Sequence, residues 1–171
     1  MSGIGKRAVA GPQHVGPLGL AGDEQADPTV HGGLSKAIYA YPAEHYPFWQ
    51  AARATAGHAL WEDETLPQGH LGENLTLQGL LETEVWIGDT LLFPDCALQV
   101  SEPRYPCGKF TAVMGFAQAA RRMVESGRCG WYLRVIQPGW IEAGQGCTVV
   151  PGRRETALLE VFRRMAPRRL D

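Results

Sequence analysis

The chain has 171 residues, enough for one domain with a substantial buried core and no covalent staples. Its 44% hydrophobic and 20% charged residues belong to an ordinary globular protein and exclude a disordered chain. With 16 basic and 18 acidic side chains the net charge is −2, which gives no overall basic field for a nucleic acid partner, and no run reaches the ~18 apolar residues of a membrane span.

The first residues, Met1-Ser-Gly-Ile-Gly-Lys6, lack the apolar stretch of an export signal, so the expected location is the cytoplasm. Glycines and prolines then punctuate the chain every few residues, and short apolar runs lie between them. The first strand is expected at 37–41, followed by a helix at 43–55 that Pro42 opens. Further strands are expected at 85–87, 90–93 and 97–100, with Gly88-Asp89 as a tight turn between the first two. Phe110, Val113, Met114, Ala117, Ala120 and Val124 recur at helical spacing. They predict one helix over 110–126, which Gly127 ends. Strands at 131–136 and 147–150 follow. A last helix at 156–166 has Thr156 as its cap and Pro167 as its stop. Many short strands with frequent turns imply a barrel or sandwich and not a βαβ fold. The arginines from Arg153 to Arg169 read as a solvated helix face.

Three segments could carry chemistry. His31-Gly-Gly33 with Lys36 offers backbone N–H groups, a donor and a positive charge, which together suit an anion such as a phosphate. In Gly72-Glu-Asn-Leu75, Asn74 both donates and accepts, so it could grip a heterocycle or order an Asx-type turn. The third is Pro103-Arg-Tyr-Pro-Cys-Gly-Lys109, which leads from a strand into a helix. A thiol just before a helix start, flanked by Arg104 and Lys109, sits in a positive field that favours the thiolate, the form that acts as nucleophile and soft metal ligand. Cys96, Cys129 and Cys147 lie in or beside apolar runs and read as small buried hydrophobes. There is no C-x-x-C, so a zinc knuckle is not expected. No P-loop, G-x-S-x-G or H-E-x-x-H is present.

These motifs, taken in order, resemble the MOSC (molybdenum cofactor sulfurase C-terminal) family, and within it a YiiM-like bacterial branch. The resemblance is carried by Gly3-Ile-Gly-Lys6, Gly22-Asp-x-Gln-Ala-Asp27, His31-Gly-Gly-x-x-Lys-Ala37 and Tyr41. It continues through Gly72-Glu-Asn-Leu75, Ile87-Gly-Asp89, Pro103-Arg-x-Pro-Cys-x-Lys109 and Gly127-Arg-x-Gly-Trp-Tyr132. It covers about residues 3–150.

The resemblance implies a mostly β fold, a β-barrel similar to the pyruvate kinase barrel domain, with a few helices. Residues 1–152 would form the barrel domain and 153–171 a short helical tail. It also implies a pyranopterin molybdenum cofactor ligated by Cys107, the catalytic residue, with Lys6, His31, Gly32, Gly33, Lys36, Asn74, Arg104 and Lys109 holding the cofactor. For the family at large it implies pyridoxal phosphate binding as well. The expected activity is that of an oxidoreductase reducing N-hydroxylated compounds, such as hydroxylaminopurines, to amines. No flavin or iron–sulfur motif is present, so the resemblance implies a separate electron-donor reductase. A non-catalytic cofactor carrier and a Cys107 persulfide carrier would use the same residues. Two departures from the branch are Gly108, where an aromatic residue is common, and a single C-terminal helix where the branch has about three.

Overall fold

The computed structural model describes residues 6–23, 33–57 and 65–165. Thirteen regular elements follow in chain order among them. They are β1 (Gln13–Gly16), β2 (Gly19–Leu20), β3 (Ile38–Pro42), α1 (Tyr46–Thr55), β4 (Leu75–Leu77), β5 (Thr90–Leu92), β6 (Ala97–Pro103), α2 (Gly108–Met114), α3 (Ala119–Ser126), β7 (Trp131–Gln137), β8 (Gly139–Ile141), β9 (Thr148–Val150) and α4 (Leu158–Met165).

Six strands form one sheet in the order β4-β3-β7-β6-β5-β9, antiparallel except for the parallel β3–β4 pair. This sheet curls into a half-barrel, as the barrel expectation required. β2, β1 and β8 make a second, antiparallel sheet. Its Val15 and Ile141 join Ile38, Ala40, Leu91, Leu98, Val100 and Leu133 in one aliphatic core.

β3 is buried along its whole length because it is covered on both faces. Alternate residues point to opposite sides of a strand. Ile38 and Ala40 therefore enter the aliphatic core, while Tyr39 and Tyr41 enter a second cluster with Trp49, Phe110, Met114, Met123 and Phe162. The helices are placed by this second cluster. α4 is tied to both, since Leu158 packs in the first core and Phe162 in the second.

Three local expectations are corrected. The helix expected over 110–126 is two helices, because Gly115 closes α2 in the left-handed region at φ 73° and the chain restarts at Ala119. Gly127 ends α3 in the same way at φ 70°. The segment 85–87 is not a strand. It makes a single bridge, Trp86 to Ala157, and its backbone anchors the start of α4 through Ile87 N to Thr156 O and Leu158 N to Val85 O. Pro42 ends β3 in extended geometry, and the helix that follows a short 3-10 turn has Pro47 in its own first turn. β1, β2, β4 and β8 were not expected at all. Pro167, the expected stop of the last helix, lies outside the described residues. No helix among the described residues is long and apolar enough to cross a membrane.

Candidate functional site

β6 delivers the chain to Pro103, and the loop Arg104-Tyr-Pro-Cys107 then turns into α2. Cys107 occupies the position before the first helical turn in extended geometry, and its side chain makes no capping bond. The residue is partly buried and packs against the aromatic cluster. Beside it, a Cβ added to Gly108 would meet nothing within 4 Å, so the place of an aromatic residue is open space.

Arg104 opens this loop and is only 5% exposed. Its guanidinium carbon is 4.8 Å from the centre of the Tyr39 ring and 5.0 Å from that of Phe110, and Nη1 donates to the Tyr39 hydroxyl at 3.5 Å. No carboxylate forms an ion pair with it among the described residues. A buried charge without a counter-charge costs several kcal/mol, and a guanidinium cannot escape by losing its proton. Burial does work against its charge. Tyr39, Tyr132 and Cys107 beside it favour the charged form, and none of them is a carboxylate counter-charge. Burial also pushes the Tyr132 phenol up, and Arg104 opposes that shift.

Lys36 closes a 3-10 turn that Gly33 opens at φ 90°. Its Nζ is 5.6 Å from the Tyr132 ring centre and 3.7 Å from Glu102 Oε2. Lys109 is exposed in the first turn of α2. Lys36, Arg104 and Cys107 thus share one neighbourhood around Tyr132, and Lys109 is two residues beyond Cys107 on α2.

Lys6 and Asn74 form a second group. Asn74 does not make a local turn. Its Oδ1 accepts the Tyr39 N–H at 2.9 Å, its N–H donates to Tyr39 O at 2.7 Å, and its Nδ2 donates to Asp23 Oδ2 at 2.7 Å. Lys6 Nζ reaches the same Asp23 oxygen at 2.9 Å. Both residues line a cleft of about 480 Å³, together with Asp23, Glu73 and Thr76. Cys107 and Arg104 are not among its lining residues. The two groups meet at Tyr39, whose backbone is clamped by Asn74 and whose ring carries Arg104. His31 and Gly32 lie outside the described residues.

Two further motifs are structural. Asp89 is buried and accepts from Gly152 N at 2.8 Å and from Arg154 Nη2 at 3.2 Å. At Gly130 a Cβ would stand 2.4 Å from Ala40 O, so only glycine lets β7 enter beside β3. Tyr39, Tyr132 and Glu73 were missed as site residues. Tyr132 and Glu73 sit inside motifs already singled out, and a carboxylate leading directly into an apolar strand was the available signal for Glu73.

Residues 27–148 match the MOSC domain. The chain belongs to the MOSC domain family. Protein YiiM of Escherichia coli (strain K12) is 39% identical to this MOSC chain over 142 residues, 83% of this chain and 61% of that protein. Protein YflK of Bacillus subtilis (strain 168) is 36% identical over 143 residues, 84% of this chain and 61% of that one. A protein of Gibberella moniliformis named Reductase is 36% identical over 144 residues, 84% of this chain but 24% of its own length. The MOSC chain therefore spans about three-fifths of these bacterial relatives. The crystal structure of YiiM from Escherichia coli superposes with a TM-score of 0.77 at 30% identity, covering 93% of this chain and 72% of that one. YiiM from Geobacillus stearothermophilus gives 0.75 at 30% identity, covering 95% and 73%.

Proposed function

We propose that this MOSC chain binds a pyranopterin molybdenum cofactor through Cys107 Sγ and reduces N-hydroxylated compounds, hydroxylaminopurines among them, to amines. The observation that carries the reading is the buried Arg104, a cation with no carboxylate partner among the described residues, beside a partly buried Cys107 with open space at Gly108. Such a cation awaits an anion, and a metal-bound thiolate with an anionic ligand would be one. Soft thiolate sulfur suits a soft metal, so the donor set fits. A relative named Reductase points the same way.

When bound, such a cofactor would supply the electron pair that turns R–NHOH and two protons into R–NH₂ and water. The protein's part is binding, positioning and charge. Cys107 Sγ would hold the metal, and Arg104 would offset the thiolate charge. Lys36, beside Tyr132, would face an anionic group, and Lys109 is exposed for the same task. Gly33 and the adjoining His31-Gly32 would present N–H donors to a phosphate. The Tyr132 phenol keeps its proton and can hold it at Oη beside the reacting group. Lys6 and Asn74 would face the heterocycle from the cleft. Electrons would come from a separate reductase.

The test is metal and pterin analysis of protein made in a host that synthesises the cofactor, followed by turnover of a hydroxylaminopurine with an electron donor. Bound molybdenum with amine formation is expected, and both should vanish in Cys107→Ala. Cofactor without turnover would leave a carrier, and a sulfur adduct on Cys107 would leave a persulfide carrier. Full activity in Cys107→Ala would overturn the assignment.

A further inference from the structure

Glu102 takes no part in the chemistry proposed above, yet it stands among the cations around Tyr132. It lies on β6 directly opposite Tyr132 on β7, so the two side chains share a face of the sheet. Its Oε2 is 3.7 Å from Lys36 Nζ, and Lys36 Nζ is 5.6 Å from the centre of the Tyr132 ring. The placement is built in. The Ser101 hydroxyl donates to Ser35 O, which ties the turn that carries Lys36 to the strand that carries Glu102. Burial is the main cause of the raised Tyr132 phenol. Arg104 opposes that shift, and Cys107 and Glu102 add to it, so these groups share one field.

Stability does not account for this carboxylate. The side chains of Lys36 and Glu102 are 27% and 33% exposed, and an ion pair open to water is worth at most about fivefold in an equilibrium constant. What the carboxylate does change is what the neighbouring cations attract. Lys36, Arg104 and Lys109 lie around or next to a partly buried cysteine, and a surface of one sign concentrates any counter-ion. Free phosphate or sulfate would gather there as readily as an intended ligand. Specificity then needs a repulsive element beside the attractive ones. A carboxylate next to Lys36 supplies it. A ligand held at other points of the site can outcompete Glu102 for Lys36. A lone small anion has only that one contact to set against the repulsion.

We propose that Glu102 is a specificity-determining residue, which masks Lys36 from free small anions and leaves the site to a ligand held at several points. The proposal deepens the function given above and rests on it only in taking the surroundings of Cys107 as the ligand site.

The test uses the full chain, free of metal and cofactor, and compares two alkylating reagents of similar size, anionic iodoacetate and neutral iodoacetamide. Both react with the thiolate, so the ratio of their rates at Cys107 reports the local field and not the thiolate fraction. The rates are read by peptide mapping at one fixed pH. In Glu102→Gln the ratio of iodoacetate to iodoacetamide should rise roughly two- to fivefold, and inorganic phosphate should slow the iodoacetate reaction at a correspondingly lower concentration. Glu102→Asp keeps the charge and should stay close to the parent chain. In a Lys36→Met background, Glu102→Gln should lose most of its gain, since no Lys36 is left to unmask. An unchanged ratio with unchanged phosphate protection in Glu102→Gln overturns the proposal. So does a full gain in the Lys36→Met background, which would leave Glu102 acting through its general field alone, and so does Glu102→Asp behaving like Glu102→Gln. All arms are metal-free, so they stand if Cys107 proves not to be a ligand, and their failure leaves that assignment untouched.

Discussion

The two faces of β3 open onto interiors built on different principles. On one side Ile38 and Ala40 meet Leu91, Leu98, Val100 and Leu133 in a core that is mostly aliphatic, with Phe93 and Trp131 among it. On the other, Tyr39 and Tyr41 meet Trp49, Phe110, methionines and a cysteine, and buried charge lies among them. Arg104 rests on two rings there, and Glu82 accepts the Gly130 N–H at 2.8 Å and pairs with His45 at 2.6 Å. Aromatic faces and phenol oxygens can hold a charge that an aliphatic core would expel. The barrel side therefore supplies stability, and the helical side supplies the place where a reactive group can be kept.

The comparison breaks first at its two extremes. Cys107→Ala should cost more than about a hundredfold in molybdenum retention, exceeding what loss of a supporting partner usually costs. Its stability should change by no more than about 0.5 kcal/mol, because the residue is only partly buried. Leu133→Ala in the barrel should do the reverse, losing about 2–5 kcal/mol in denaturant unfolding while each folded molecule keeps its metal. If the two variants lose metal equally, the division of labour is wrong.

Arg104→Met sharpens the same contrast. It keeps the volume and removes a buried cation that has no carboxylate partner among the described residues. Replacing buried charge by apolar volume is often neutral or stabilising. Unfolding should therefore change little, while cofactor retention falls about 10–100-fold. A stability loss as large as that of Leu133→Ala would make Arg104 a packing residue.

The four thiols divide along the same line. Burial pushes the Cys129 thiol well up, and pushes Cys96 and Cys147 up as well. Limited alkylation at neutral pH should label Cys107 first and Cys129 last, read by peptide mapping. Equal labelling of Cys147 and Cys107 would remove the argument that the Arg104 neighbourhood makes one thiol special.

The aliphatic side is also the side that could be read from the sequence. β3, β5, β6, β7 and β9 all lie within a residue or a few of their expected positions, because apolar residues on one strand face leave a period of two. β1, β2, β4 and β8 left no such mark. Gln13-His-Val-Gly16 contains one buried residue, and it becomes a strand because β2 and β8 pair with it from either side. Gly115 was invisible inside the helical spacing, since the residues on either side still share one buried face. On the site side, the Cys107 loop was legible through its prolines and flanking cations. The joining role of Tyr39 was not, since it depends on Asn74 and Arg104, which lie 35 and 65 residues away in the chain.

The smallest effect concerns pH. His70 lies against α2, with Nε2 3.2 Å from Val113 O, and burial lowers its pKa despite that contact. An unfolded histidine titrates near 6.5. A group whose folded pKa is depressed binds protons more readily when unfolded, so acid favours the unfolded chain. Above about pH 6.5 both states are neutral at this side chain and it makes no difference to stability. As pH falls through 6.5 towards the folded value, stability should decline, and below that value the loss should be complete. His70 is half-exposed, so the effect will be modest. Denaturant midpoints measured from pH 8 to pH 5 should fall less steeply in His70→Gln than in the parent chain, while Leu133→Ala should shift the whole curve without changing its slope. Equal slopes in His70→Gln and the parent would show that the helical side does not carry this part of the acid sensitivity.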